Sequence, residues 1–252
     1  MADAFMANSL PANVPADIGS WQADLDPSTE RYAARFAGPV GEWMLARQTE
    51  ALMRFVAPWP GATVLDVGGG HGQTAAPLLA AGYDVTVLAS SEAALGRAAA
   101  LPGVKTAIGP LTDPPFPERC FDIVVSFRMM AHIGDWRRYL AGLARTARHE
   151  VIVDFPIPGS ANALEPLLFR LKKRLEGDTR RYAMMRRDEV RETFEGLGFK
   201  SVTSVGQFVL PMVLHRLLNM PKASETLEKV CAELGLLNLT GSPVVMAAQT
   251  IV

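Results

Sequence analysis

The run Ala62-Thr63-Val64-Leu65-Asp66-Val67 leads straight into Gly68-Gly69-Gly70-His71-Gly72. A short apolar, β-branched run bounded by glycines reads as a strand buried on both faces. The glycines mark a tight turn, and the Ala/Leu-rich stretch to about Ala81 reads as a helix. Strand, glycine turn and helix make the opening unit of a parallel α/β sheet. Such sheets take their ligands beyond the carboxyl ends of the strands, so this turn is the first place to look for a binding site.

The alternation continues downstream. Asp84–Leu88 reads as a strand, Ser91–Ala100 as a helix and Val104–Ile108 as a strand. Phe121–Phe127 is a strand, Trp136–Ala147 a helix and Glu150–Phe155 another strand. After a lapse, a helix near Asp188–Leu197 precedes a strand near Phe199–Val205. Helices over Leu210–Asn219 and Ser224–Leu234 then lead to a last strand over Pro243–Ile251. This gives a doubly wound, seven-stranded, mostly parallel α/β sheet.

Upstream, Asp26-Pro27-Ser28 supplies helix-start chemistry, and a helical region interrupted at Gly38-Pro39 runs to Ala57 before Pro58 and Pro60. Residues 1–25 read as a loose leader, and 26–252 as one domain with a helical lid or insertion at about 159–191. In that insertion Leu164, Leu167, Leu168, Leu171 and Leu175 recur at helical spacing among basic residues. Such a segment suits a packed amphipathic helix, a lid over an acidic acceptor or contact with a lipid-linked one.

Of the 252 residues, 49% are hydrophobic and 20% charged, enough for a sizeable core under a water-compatible surface. The net charge of -1 argues against nucleic acid as a partner. Cys120 and Cys231 stand in no metal-like spacing and suit a reducing, cytoplasmic setting. No secretory leader or transmembrane segment is expected.

Glycines at a strand end let backbone approach a ligand, and the N–H groups of the next helix favour negative charge. Two registers compete. Gly70-His71-Gly72-Gln73-Thr74-Ala75 fits the dinucleotide pattern G-x-G-x-x-A, with Glu92 near the place of a ribose acid; it would suit an NAD-dependent oxidoreductase. Taking Asp66, Gly68, Gly70 and Gly72 as one unit instead gives a motif closely resembling the first motif of class I S-adenosylmethionine-dependent methyltransferases.

The resemblance extends through Pro114–Ser126, which is similar to the family's approach to its fourth strand. Ala131-His132-Ile133-Gly134-Asp135 is similar to its E-H-x-x-D segment, with Ala131 in place of the acid. The resemblance implies a Rossmann-like sheet with a reversed final strand and N-terminal helices. It also implies S-adenosylmethionine as cofactor, and methyl transfer to O, N or C of a small-molecule acceptor. By the same resemblance, Asp66, Gly68, Gly69, Gly70, Gly72, Ser90, Leu111, Phe127, Arg128, Tyr32 and Arg35 would bind the cofactor. His132, after the fourth strand, would be the candidate base.

This sequence departs from the family at two places. Ala89 stands where an acid usually bridges the ribose hydroxyls, and Pro110 where an acid meets the adenine amine. Ser90, Ser91 or Glu92 would serve the first contact, and Thr112 or Asp113 the second. A binding or regulatory relative without turnover is the alternative that these departures keep open.

Overall fold

The computed structural model describes residues 23–24, 33–160 and 183–250. Seven strands form one sheet in the order β3-β2-β1-β4-β5-β7-β6. They are β1 (Thr63–Val67), β2 (Asp84–Ala89), β3 (Lys105–Ile108), β4 (Phe121–Ser126), β5 (Ala147–Phe155), β6 (Ser201–Gly206) and β7 (Val244–Gln249). The first five pair in parallel, while β7 lies antiparallel between β5 and β6. The expected doubly wound sheet with a reversed last strand is what the chain forms.

The central strands β1, β4, β5 and β7 are covered on both sides, which explains their nearly continuous apolar character. Side chains alternate between two hydrophobic layers. Leu65, Val67, Val124, Val151 and Val153 face one layer; Val64, Ile123, Val125 and Ile152 face the other. The first layer is closed by α4 (Trp136–Thr146) and α5 (Arg187–Gly196). The second is closed by α1 (Gly38–Val56), α2 (Ala75–Ala80) and α3 (Glu92–Leu95).

Some expected elements are shorter. The helix anticipated over Ser91–Ala100 splits into α3 and a 3-10 turn at Ala98–Ala100, because Gly96 takes a positive φ between them. Among the described residues of the anticipated N-terminal helical region, a 3-10 turn, Ala34–Phe36, precedes α1, which carries Pro39 in its first turn. The helix start at 26–28 and the segment 161–182 lie outside the described residues. Both cysteines are free, and no helix among the described residues is long and apolar enough to cross a membrane.

After β6 come α6 (Met212–Leu218), α7 (Pro221–Glu233) and a further short helix, α8 (Leu236–Thr240). One buried side chain of α7 holds this region to the domain. The carboxylate of Glu228 accepts from the Val209 and Leu210 N–H groups and is bonded to His215 Nε2 at 2.9 Å. His215 in turn meets the rings of Trp43 and Phe208, which brings α6 onto α1. Removing the carboxylate leaves the buried His215 ring and two half-buried backbone N–H groups unpaired, a buried group costing about 1–3 kcal/mol. Glu228→Ala is expected to lower unfolding free energy by about 3 kcal/mol or more in urea denaturation. A loss below about 1 kcal/mol would contradict this account of the C-terminal helices.

Candidate functional site

Parallel pairing sets the carboxyl ends of β2, β1, β4 and β5 side by side. Asp66 lies across from Val125, and Val125 across from Ile152. By alternation, Asp66 and Asp154 point toward the face that α1 covers. The two acids therefore flank the end of β4.

Asp66 is 1% exposed, and neither carboxyl oxygen accepts a hydrogen bond among the described residues. Loss of hydration raises its pKa to about 7, against the pull of the Arg128 guanidinium. Asp154 is also buried but has partners: the Arg128 backbone N–H and, at 3.1 Å, Gln48 Nε2 of α1. Its burial outweighs those hydrogen bonds and the Arg128 charge, raising its pKa to about 6.

Arg128 leaves β4 in the left-handed region, with φ of 61°, which is uncommon for a residue with a side chain. Its N–H is thereby directed to Asp154 while its guanidinium lies 5.1 Å from the centre of the Phe36 ring. The Nη1 atom of Arg128 is buried and donates no hydrogen bond among the described residues. One cation and two acids thus close around the tips of β1, β4 and β5.

The acid at the tip of β2 comes from far away in the chain. Asp24 is fully buried and accepts from the Ser90 backbone N–H at 2.8 Å and from the Ser90 hydroxyl. Ala23 beside it packs into the layer of Leu65 and Val67. Burial raises the pKa of Asp24 above the ordinary range, against the Ser90 bonds. The phenol of Tyr139, bonded to Ser126 Oγ at 2.6 Å, is raised first by burial. The charges of Asp24, Asp66 and Asp154 raise it further, so all three acids lie within its electrostatic reach.

The glycine loop has a different rationale from the one its sequence suggests. Gly68 and Gly72 both take positive φ, which glycine adopts without strain. The space beside three of the glycines, however, is filled by the protein itself. A Cβ would lie 2.6 Å from Met129 Sδ at Gly68, 1.9 Å from Asp66 Oδ2 at Gly69 and 2.7 Å from Leu101 Cδ1 at Gly72. These glycines make room for the domain's own side chains, the buried Asp66 carboxyl among them. Gly70 is buried, and its carbonyl accepts from Ala98 N–H at 2.9 Å, which ties the loop to the segment after β2.

The other expected site residues are spread more widely. Ser90 is buried at the end of β2 against Asp24. Leu111 and Phe127 are buried in opposite hydrophobic layers. His132 ends a 3-10 turn, Met130–His132, and is half-buried. Arg35 lies in the turn Ala34–Phe36, and Tyr32 lies outside the described residues. Ser91 caps α3, Asp135 caps α4, and Asp113 is paired with Arg145 at 2.9 Å. Three polar residues at these strand ends escaped the sequence: Asp24, Gln48 and Asp154. Asp154 did carry a signal, since Val151-Ile152-Val153-Asp154 repeats the apolar run ending in an acid seen at Val64-Leu65-Asp66.

Chemically, the ends of β1 and β5 set two carboxyls beside one guanidinium, and a third carboxyl stands at the tip of β2. That field favours a ligand carrying positive charge and disfavours a pyrophosphate. The helix after the glycines has only six residues, so it adds little of the anion attraction expected from a longer one.

A family model described as a methyltransferase domain matches residues 65–153. The fold is similar to magnesium protoporphyrin IX methyltransferase from Synechocystis PCC 6803, solved with S-adenosylhomocysteine. TM-score is 0.61 at 14% identity, covering 88% of this chain and 94% of that one. It is also similar to phosphoethanolamine N-methyltransferase 2 from Haemonchus contortus, with a TM-score of 0.60 at 16% identity over 92% of this chain and 60% of that one. A SAM-dependent methyltransferase from Thermotoga maritima gives 0.58 at 16% identity, over 92% of this chain and 100% of that one. No curated protein matches the sequence significantly.

The raised acids set a direction for stability. A carboxyl whose folded pKa exceeds its unfolded value binds more protons in the folded state, so stability falls as pH rises through the folded pKa. Asp66 at about 7 and Asp154 at about 6 both act this way, as does Glu150 at about 7 near the other end of β5. The ligand-free protein is expected to be more stable near pH 5 than near pH 8. Asp66→Asn should flatten that decline. Urea midpoints across this range check it, and a midpoint rising with pH would contradict it.

Proposed function

We propose that the chain, whose residues 65–153 match a methyltransferase-domain model, is a class I, S-adenosylmethionine-dependent enzyme that methylates an O, N or C atom of a small molecule. The observation that carries the site reading is Asp66, a buried carboxyl beside the glycine loop that lacks a hydrogen-bond donor among the described residues. A charged ammonium donor is what such a group requires. The amino acid end of S-adenosylmethionine has one, and its sulfonium adds a second positive charge.

In this reading Asp66 receives the ammonium, and Gly68, Gly69, Gly70 and Gly72 shape the loop beside it. Arg128, whose Nη1 donates no hydrogen bond among the described residues, would meet the ligand's carboxylate. Asp154 fixes Arg128 through its backbone N–H, and Gln48 holds Asp154 in turn. Bound here, S-adenosylmethionine supplies an electrophilic methyl group, so the protein's task is chiefly to orient the acceptor and exclude water. His132, half-buried after β4, is the proposed base for an acceptor that must lose a proton. Tyr32 and Arg35 stay proposed as the cofactor's cover, and Ser90, Leu111 and Phe127 as its lining.

Calorimetric titration with S-adenosylmethionine, S-adenosylhomocysteine and NAD tests the ligand. The two adenosyl sulfur compounds should bind and NAD should not. Binding of NAD alone would sink the proposal. Loss of one charge-assisted bond is worth about 1.5–3 kcal/mol, or roughly tenfold to a hundredfold in affinity. Asp66→Asn should therefore weaken S-adenosylhomocysteine by that factor at pH 7.5. Once an acceptor is found, His132→Ala should lower the methylation rate while leaving cofactor affinity intact. An unchanged rate would remove His132 from the chemistry.

A further inference from the structure

β2 ends at Ala89, whose methyl group offers nothing to a polar ligand. The next residues are already engaged: Ser90 with Asp24, and Ser91 with the Ala94 N–H at the start of α3. Glu92 lies exposed on α3. The one buried acid at this strand end among the described residues is Asp24, brought to Ser90 from 66 positions earlier in the chain.

We propose that Asp24 is a cofactor-binding residue, its carboxylate held by Ser90 at the tip of β2 to accept hydrogen bonds from the vicinal ribose hydroxyls. The assignment rests on the reading of Asp66 as holder of the amino acid end. Three observations support it.

The first is position. Gly68 N–H donates to the Leu88 carbonyl at 2.8 Å, so the glycine loop and the tip of β2 are joined. Neighbouring strands stand about 4.8 Å apart, which places the β2 tip one strand from Asp66 on the side away from β4 and β5. With the amino acid end between Asp66 and Arg128, the nucleoside has the β2 side to occupy.

The second is capacity. An ionised carboxylate offers about four acceptor sites, and Ser90 uses two. Among the described residues the only further donor to it is the Asp24 backbone N–H, so acceptor capacity is left for a diol, which presents two donors in a fixed relative geometry.

The third is chemistry. Asp24 stands with Asp66 and Asp154 in the electrostatic reach of Tyr139, so the ligand portion nearest to it must be a neutral donor or a cation. A ribose diol qualifies and a phosphate does not. Ser90 is a positioning residue here, orienting the Asp24 carboxylate through both its N–H and its hydroxyl.

The test compares S-adenosylhomocysteine with its 2′,3′-dideoxy analogue by calorimetry on the full-length protein. The unmodified protein should prefer the diol by about a hundredfold, the value of two good hydrogen bonds to a charged group. Asp24→Ala should weaken S-adenosylhomocysteine by about a hundredfold and leave the dideoxy analogue within about twofold, collapsing the preference. Asp24→Asn fills the same volume with one acceptor oxygen. It should give an intermediate preference, and it serves if the alanine variant does not fold.

Equal weakening of both ligands by Asp24→Ala would overturn the assignment and leave a structural clamp; an intact diol preference would overturn it as well. Asp66→Asn separates the two readings, because it should weaken both ligands alike and keep the preference. If Asp66→Asn changes neither affinity while Asp24→Ala still removes the preference, the Asp66 reading fails and Asp24 stands. If the unmodified protein binds neither ligand, the site fails and Asp24 with it.

Discussion

A carboxyl group taken out of water without a hydrogen-bond donor raises the free energy of the folded state. Among the described residues Asp66 has no donor, and the sheet sets it there: it is the fourth residue of a five-residue central strand, with β2 on one side and β4 on the other. The adjoining glycine at 69 gives up its side chain so that the carboxyl fits. The surroundings relieve the cost only in part, through the charge of Arg128 and an upward shift toward neutrality. A site built this way is poised to gain from a cation, which repays the lost hydration and restores the ionised form.

The other polar groups make sense around that constraint. Arg128 adopts an uncommon backbone conformation, and Asp154 holds its N–H. Gln48 connects Asp154 to α1, so the helix that seals the second core layer also braces the site. Residues in sparsely populated backbone regions persist where the surroundings over-determine them, often where a ligand is handled. Under the proposed function the chemistry asked of these residues is modest, since a sulfonium donor brings its own reactivity. Holding two charged ends and a diol in register is the demanding part.

Most of the sheet was legible because period-two burial and glycine punctuation are local properties, read directly from runs such as Val64–Gly72. Boundaries slipped where a local rule competed with another: Gly96 broke a helix that alanine content favoured, and α8 lacked the periodicity to announce itself. Asp66 was legible as an acid closing an apolar strand, and Asp154 carried the same signature at β5. The role of the glycines was only half legible, because spacing says that a side chain is unwelcome without saying what occupies its place. Met129, Asp66 and Leu101 occupy it here. Asp24 was not legible at all. Its partner lies 66 residues away, and a leader rich in proline and polar residues gives no hint that one of its acids is buried.

The most direct measurement is a crystal structure of the protein with S-adenosylhomocysteine. The account requires the ligand's ammonium within hydrogen-bonding distance of the Asp66 carboxylate, about 2.7–3.2 Å. A ligand bound elsewhere, or bound at the glycine loop with Asp66 still lacking a charged partner, would contradict it.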